Sequence, residues 1–327
     1  MADALKKLQE RAHIAVALGK KADHSPTPSQ CVVEYAMEEN TTGFLKIGTS
    51  ASIVVVAEKK NTAAVSSERE GLVRCAGERV GHQVNEMVKI TSRVYQLGSG
   101  WGKRVLGANV FLLVGDNLTL VDAGFKGRSR HIIKQVQGLG YSPSDIDSII
   151  ITHHHADHVG GLPEMKKVSQ AKVIAHPADA VYIDGHLQQP GPARPRWLSK
   201  ILAPLGRLWA TTPVTVDILV NDGDDLTMFG GIRVLHTPGH TPGSISLFLQ
   251  QERLVIVGDV IAHRFGLSLP SRMFTVDVAQ EIRSIKEVAD LDFDVICFGH
   301  GPPIAHKAHS TVAKFAETLQ KKHHKVA

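Results

Sequence analysis

The chain has 327 residues, 43% of them hydrophobic and 21% charged, with a net charge of +5; that balance excludes wholesale disorder and leaves room for one or two domains. No apolar run approaches the roughly 20 residues needed to cross a bilayer, and Ile14-Ala15-Val16-Ala17-Leu18 is too short for a secretory core, with Lys20-Lys21 standing where a cleavage site would be expected. Three cysteines, Cys31, Cys75 and Cys297, exclude a disulfide framework and point to a reducing, cytoplasmic setting, and no basic stripe interleaved with aromatics supports specific nucleic-acid binding.

Residues 1–86 read as an N-terminal extension of unassigned fold. Leu5, Leu8, Ala12, Ala15 and Val16 have helical spacing, and Ile53-Val54-Val55-Val56 is strand-like, but periodicity is otherwise weak. An accessory domain, a partly disordered extension, and sequence upstream of a start at Met87 all fit. Residues 87–327 read as one domain. A strand is expected over 88–97, then a hairpin of 109–114 with 118–121 across Gly115-Asp116-Asn117, and a helix over 129–139 that Gly140 ends. The apolar run 146–151, a short helix near 162–168 and a strand at 171–175 follow. Further strands are expected at 216–220, 232–236, 245–249, 254–257 and 293–298, with helices at 278–289 and 308–321. Strands that follow one another directly argue for sheet packed on sheet with helices outside. One stretch, 188–213, breaks the rhythm: it is proline-rich, yet Trp197, Leu198, Ile201, Leu202, Leu205, Leu208 and Trp209 recur at helical spacing. A core-facing helix and a hydrophobic lid over a site both fit it.

The 18 histidines are unevenly placed. Thr152-His153-His154-His155-Ala156-Asp157-His158 directly follows the run 146–151. A strand passing into a loop aims alternate side chains, His153 and His155, at one point, while Asp157 and His158 turn towards a neighbouring one. His154 alternates away. Imidazoles with a carboxylate suit Zn²⁺ and other borderline divalent ions, and two adjacent clusters imply two ions. The remaining ligands are expected at other strand ends, where ligand-type residues sit beside glycine: His236 and His240 around Pro238-Gly239, Asp259 after Gly258, and His300 between Gly299 and Gly301. Cys297 reads as core.

These residues together resemble the metallo-β-lactamase-fold superfamily of metallohydrolases over about residues 88–320. The resemblance implies an α/β fold, an αββα sandwich of two mixed sheets flanked by helices. It implies His153, His155 and His240 on a first metal, Asp157, His158 and His300 on a second, and Asp259 bridging both. Asp122 matches the family's early aspartate, which with Thr152 would orient ligands; His236 is not a ligand in that pattern. Two divalent ions, foremost Zn²⁺ with Mn²⁺, Co²⁺ or Fe²⁺ also suited, would share a bridging hydroxide, which Asp157 and Asp259 help to orient.

Within the superfamily, the glyoxalase II-like and lactonase-like branches fit best, implying hydrolysis of a small-molecule ester, lactone or thioester. True β-lactamases carry Cys or Ser where Asp259 stands. Glyoxalase II enzymes add a C-terminal helical domain, whereas 27 residues follow His300 here. The alternatives are a phosphodiesterase of the same fold and a persulfide dioxygenase that binds one iron through residues corresponding to His153, His240 and Asp259. Trp197 and Trp209, with Arg194, Arg196 and Arg207 nearby, point to a partly apolar, acidic or acyl-bearing substrate. Tyr182 and His263 are further candidates for touching it.

Overall fold

In the computed structural model, which describes residues 44–47, 51–54, 87–98, 107–190 and 211–324, the uninterrupted apolar runs form strands buried on both faces. The chain divides into two units, Met1–Glu70 and Gly71–Ala327. In the first, β1 (Phe44–Ile47) and β2 (Ala51–Val54) pair antiparallel, with Phe44 opposite Val54. The helical spacing near the N-terminus, the lid candidate around Trp197 and Trp209, and Cys31 and Cys75 lie outside the described residues.

In the second unit, one sheet orders β3 (Val88–Lys89), β4 (Val94–Leu97), β5 (Val110–Val114), β6 (Leu118–Val121), β7 (Ile146–Ile150), β8 (Lys172–Ala175) and β9 (Ile218–Leu219) side by side in chain order. It is antiparallel from β3 to β6 and parallel from β6 to β9. The change follows from the connections. A tight turn suffices between β5 and β6, whereas α1 (Ser129–Gly138) crosses from β6 to β7, and α2 (Ala156–Val159) with α3 (Leu162–Ser169) from β7 to β8. After β8 comes α4 (Pro177–Ile183). The second sheet orders β10 (Asp225–Leu226), β11 (Ile232–His236), β12 (Ile245–Leu249) and β13 (Leu254–Ile256), then, past the small hairpin of β14 (Ala262–His263) with β15 (Leu267–Ser268) and the helix α5 (Val278–Ala289), β16 (Val295–Cys297). β16 pairs parallel to β13, and α6 (Ala308–His324) closes the described chain.

Strand alternation distributes the core over three layers. Phe111, Leu113, Ile150 and Ile174 face Val234, Leu247, Ile256 and Cys297 between the sheets. Leu112, Leu120, Ile149 and Val173 point the other way, onto Ile132, Val136, Leu162 and Met165 of α1 and α3. Val255 and Ile296 pack on Ile285, Val288 and Val312 of α5 and α6. The result is the expected αββα sandwich, and Cys297 is buried in its middle layer, where burial pushes its thiol pKa up.

One expected element differs. The alternation over 88–97 is two strands, β3 and β4, folded on each other with Lys89 opposite Tyr95. The backbone N–H groups of Ile90 and Thr91 both donate to the Val94 carbonyl (2.9 and 3.2 Å), and the Thr91 hydroxyl caps the Arg93 N–H. The side chain of Thr91 thus supplies the turn that no glycine or proline announces.

Candidate metal centre

The seven candidate ligands lie past the carboxyl ends of β7, β13 and β16 and in the β11–β12 loop, with Asp122 past the end of β6. Where these ends meet, the Ile245 N–H at the start of β12 donates to the Thr152 carbonyl at 2.9 Å and ties the two sheets together. The ligand-type atoms of His153, His155 and His240 lie within 4.8 Å of one another, as do those of Asp157, His158 and His300, and those of His153, His158 and Asp259. The Asp259 carboxylate stands between the groups, 3.5 Å from Nε2 of His158, 3.5 Å from Nε2 of His240 and 3.3 Å from Nε2 of His300.

Four histidines are oriented the same way, each by a hydrogen bond at Nδ1. Asp122, held in a left-handed backbone conformation (φ 62°), accepts from the Thr152 N–H (2.8 Å), the Thr152 hydroxyl (2.8 Å) and His158 Nδ1 (2.7 Å). Because the Thr152 hydroxyl donates to Asp122, its oxygen is left to accept from His153 Nδ1 at 3.1 Å. Likewise Thr275 donates to the Ser271 carbonyl and accepts from His240 Nδ1 at 3.2 Å. His300 Nδ1 faces the Gly107 carbonyl at 3.3 Å. Each ring therefore turns its Nε2 inward. Nε2 of His153, His158 and His240, and Oδ1 of Asp259, are buried without a hydrogen-bond partner. Buried polar atoms are rarely left so, and converging imidazole and carboxylate donors suit a divalent cation. The residues fit such an ion.

The electrostatics separate the two groups. Burial first, then the neighbouring histidines, holds His153 and His155 well below the ordinary imidazole pKa, and burial lowers His240 to about 4. These three are neutral, with lone pairs available. In the other group burial opposes charge, yet carboxylates prevail. Asp122, Asp259 and Asp157 raise His158 well above its usual value, and Asp259 and Asp157 raise His300 to about 9. Against burial, His158 and His300 lower Asp157 to about 2. A cation entering this group replaces protons on imidazoles.

Close approach demands glycine beside these groups, most directly at Gly299. A Cβ on Gly299 would collide with the Asp259 carboxylate and come within 2.9 Å of the His158 ring. Gly299→Ala is expected to keep the sandwich but displace Asp259, lowering divalent-metal affinity by at least about tenfold in a calorimetric titration. Unchanged affinity would contradict it.

A cavity of about 470 Å³ opens onto the centre, with His155, Asp157, His240, Asp259 and His300 on one side and Phe125, Leu269, Pro270 and Phe274 among its apolar walls. Gln189 and Pro190, described residues at the start of the 188–213 lid candidate, also line it, and Arg264 supplies a cation. Tyr182 and His263 are not among the lining residues. Tyr182 stacks on His154 at 4.5 Å between ring centroids, and His263 Nδ1 bonds the Pro302 carbonyl at 2.8 Å, bracing the His300 turn. His154 points away, its Nδ1 3.0 Å from Asp179, and His236 stacks on His176. Trp197 lies outside the described residues.

Several residues that the motifs did not single out support the site. Asn109 takes a hydrogen bond from Gln96 (2.8 Å) and donates to the carbonyls of Phe298 and Gly301 (2.8 and 2.7 Å), clamping the turn that carries His300. Thr275 orients His240, Asp179 sits behind the first loop, and Glu281 is buried nearby. The local cues were for Asp179 and Glu281, each an acid in the first turn of a helix, opened by Pro177 and capped by Asp277 respectively.

The family model described as the metallo-beta-lactamase superfamily matches residues 104–300. The probable metallo-hydrolase YflN of Bacillus subtilis is 29% identical over 58% of this chain and 78% of its own length. A hydroxyacylglutathione hydrolase of Bartonella quintana is 31% identical over 55% of this chain and 58% of its own. Among solved structures, a metallo-beta-lactamase of Cronobacter sakazakii, a variant in its HARLDQ motif, superposes with a TM-score of 0.56 at 22% identity, covering 73% of this chain and 96% of that one. A metallo-beta-lactamase family protein of Thermus thermophilus gives 0.56 at 24%, covering 72% and 81%. These structural likenesses concern the fold.

Proposed function

The chain belongs to the metallo-beta-lactamase superfamily, and from that premise we propose that it is a two-metal hydrolase of a small-molecule ester, lactone or thioester. The observation that carries this reading is the convergence of the buried, unpartnered Nε2 atoms of His153, His158 and His240, from two loops, on the Asp259 carboxylate. His153, His155 and His240 would hold one cation, Asp157, His158 and His300 the other, with Asp259 shared. Zn²⁺ suits these donors best, Mn²⁺, Co²⁺ or Fe²⁺ also being compatible. When bound, the pair would supply a water acidified towards neutral pH and a Lewis acid for the substrate's carbonyl oxygen.

The chain's own residues do the rest. Asp157, partly open to the cavity, and Asp259 accept hydrogen bonds from the attacking water and fix its direction towards the carbonyl carbon. Phe125, Phe274 and Leu269 take the apolar part of the acyl group and thin the water around it. The name of the Bartonella relative, a hydroxyacylglutathione hydrolase, favours a thioester within this class.

Arg264 lines the cavity from the loop between β14 and β15, and places a guanidinium where an anionic substituent of the substrate would lie. Arg264→Ala is expected to raise KM for carboxylate-bearing acyl substrates about tenfold while leaving kcat and neutral analogues nearly unchanged. An equal effect on both substrate types would remove Arg264 from substrate recognition.

Elemental analysis of protein purified without added metal, followed by a lactone, thioester and phosphodiester panel, tests the function. Two zinc, manganese or cobalt ions per chain and turnover of an ester-type bond are expected. One iron per chain, with oxygen uptake on a persulfide, would overturn the reading in favour of an oxygenase.

A further inference from the structure

We propose that Asp179 is a positioning residue that fixes the spacing between the two loops carrying His153, His155 and His240, and thereby sets that group's affinity for its cation; this rests on the metal-binding reading above. Asp179 lies in the first turn of α4, is 1% exposed, and touches two loops that are far apart in the chain. Its Oδ2 accepts from the His154 backbone N–H and from the Thr241 hydroxyl, both at 2.8 Å, and lies 3.0 Å from His154 Nδ1. Its Oδ1 accepts from the Gly243 N–H at 2.7 Å.

Each of these bonds is placed to act on a ligand. His154 lies between His153 and His155, and Thr241 directly follows His240. One carboxylate therefore holds both loops, and the distances it governs are those between rings on different loops: 4.9 Å between the centroids of His153 and His240, and 4.6 Å between those of His155 and His240. The approach is close enough to exclude a side chain on the second loop, since a Cβ on Gly243 would come within 2.5 Å of the Asp179 backbone nitrogen and 2.6 Å of Oδ1. The middle histidine of the run gains a role from the same arrangement. With its backbone N–H bonded to Asp179, its Nδ1 3.0 Å from the same carboxylate and its ring stacked on Tyr182, His154 anchors the loop from behind while its neighbours face the centre. No hydrogen bond of Asp179 reaches Asp157, His158 or His300.

That asymmetry separates positioning from general support of the fold. Asp179→Asn keeps the side chain's shape but replaces one acceptor oxygen with an N–H₂ group. It cannot serve the His154 and Thr241 donors and the Gly243 donor together. Thr241→Val removes the Thr241 hydroxyl, which also meets Ser244 Oγ at 2.8 Å, and leaves the other bonds to Asp179 intact.

Chelator-stripped wild-type protein and both variants are titrated with Co²⁺ against a chromophoric competitor, reading visible absorption, with the far-UV circular dichroism melt of the stripped proteins alongside. The wild type is expected to take two equivalents. In Asp179→Asn one equivalent weakens by about 10- to 100-fold, with altered cobalt absorption bands, while the other is unchanged; Thr241→Val gives a smaller loss on the same equivalent. Wild-type affinity and spectrum for both equivalents in Asp179→Asn, or equal weakening of both, overturns the proposal. Should Asp179→Asn fail to fold, unchanged affinity and bands in Thr241→Val overturn it instead. A wild type that takes up no cobalt removes the metal reading itself, a failure distinct from that of the variants.

Discussion

Asp259→Asn is expected to reduce bound metal from two ions to at most one and to lower kcat/KM at least about 10³-fold, equivalent to about 4 kcal/mol of transition-state stabilisation. Asparagine preserves the shape but removes the one charge common to both ligand groups, and its amide N–H₂ would face imidazole nitrogens that need an anion or a cation. Burial alone would raise the Asp259 pKa. The charges of His300 and His158 more than offset this and hold it well below the usual carboxylate range. The carboxylate therefore stabilises the metal-free fold at pH values above the ordinary aspartate range, and that contribution fades as pH falls through its lowered value. The asparagine variant should accordingly melt lower than wild type when stripped of metal at pH 7. Metal content by elemental analysis, kcat/KM on the best substrate and the melting temperature of the stripped protein check the three parts. Full turnover with one ion per chain would exclude a mechanism that needs both.

Glu281→Gln should do the reverse and stabilise the stripped protein by about 3 kcal/mol at pH 7. Glu281 is 1% exposed in the first turn of α5, and neither of its carboxyl oxygens has a well-formed hydrogen bond. Burial first, then the charge of Asp259, raises its pKa from 4.5 to about 9. The folded state thus binds the proton more tightly than the unfolded chain. This group favours folding most below pH 4.5, and that contribution is lost as pH rises towards 9. Glutamine, neutral at every pH, avoids the loss, so its advantage should be small near pH 4.5, grow by about 1.4 kcal/mol per pH unit and level off above 9. Cations in the nearby centre favour the ionised form, so the advantage should shrink when metal is restored. A stability difference that does not change between pH 5 and 8.5 would show that Glu281 is ionised in the folded protein.

The site was more legible in the sequence than its support, for a physical reason. His153, His155, Asp157 and His158 are adjacent, and a strand passing into a loop has few ways to arrange them. His240, Asp259 and His300 each stand close to a glycine at a strand end, where close approach demands one. The sandwich was legible because strands covered on both faces, such as β5 and β13, read as unbroken apolar runs. Asp179, Asn109, Thr275 and Glu281 leave no such trace. Each is a single polar residue whose partners, such as Thr241 for Asp179 or Phe298 for Asn109, become neighbours only after the sheets pair. The turn between β3 and β4 stayed hidden because Thr91, Ser92 and Arg93 include neither glycine nor proline. Tyr182 suggested a group reaching for substrate, but the flat face of His154 holds its ring.

The parallel pairing of β13 with β16, which sets Ile256 beside Cys297, brings Asp259 next to the turn holding His300 only after the intervening hairpin and α5 have been laid down. Loop closure over such separations is slow relative to local structure formation. A nascent chain still lacking residue 300 therefore has the histidines of the first loop without their counterpart. On the two-ion reading proposed above, the full ligand set exists only once residue 300 has been made and the sheets have docked, so metal retention in the cell would report synthesis through that residue and correct sheet docking.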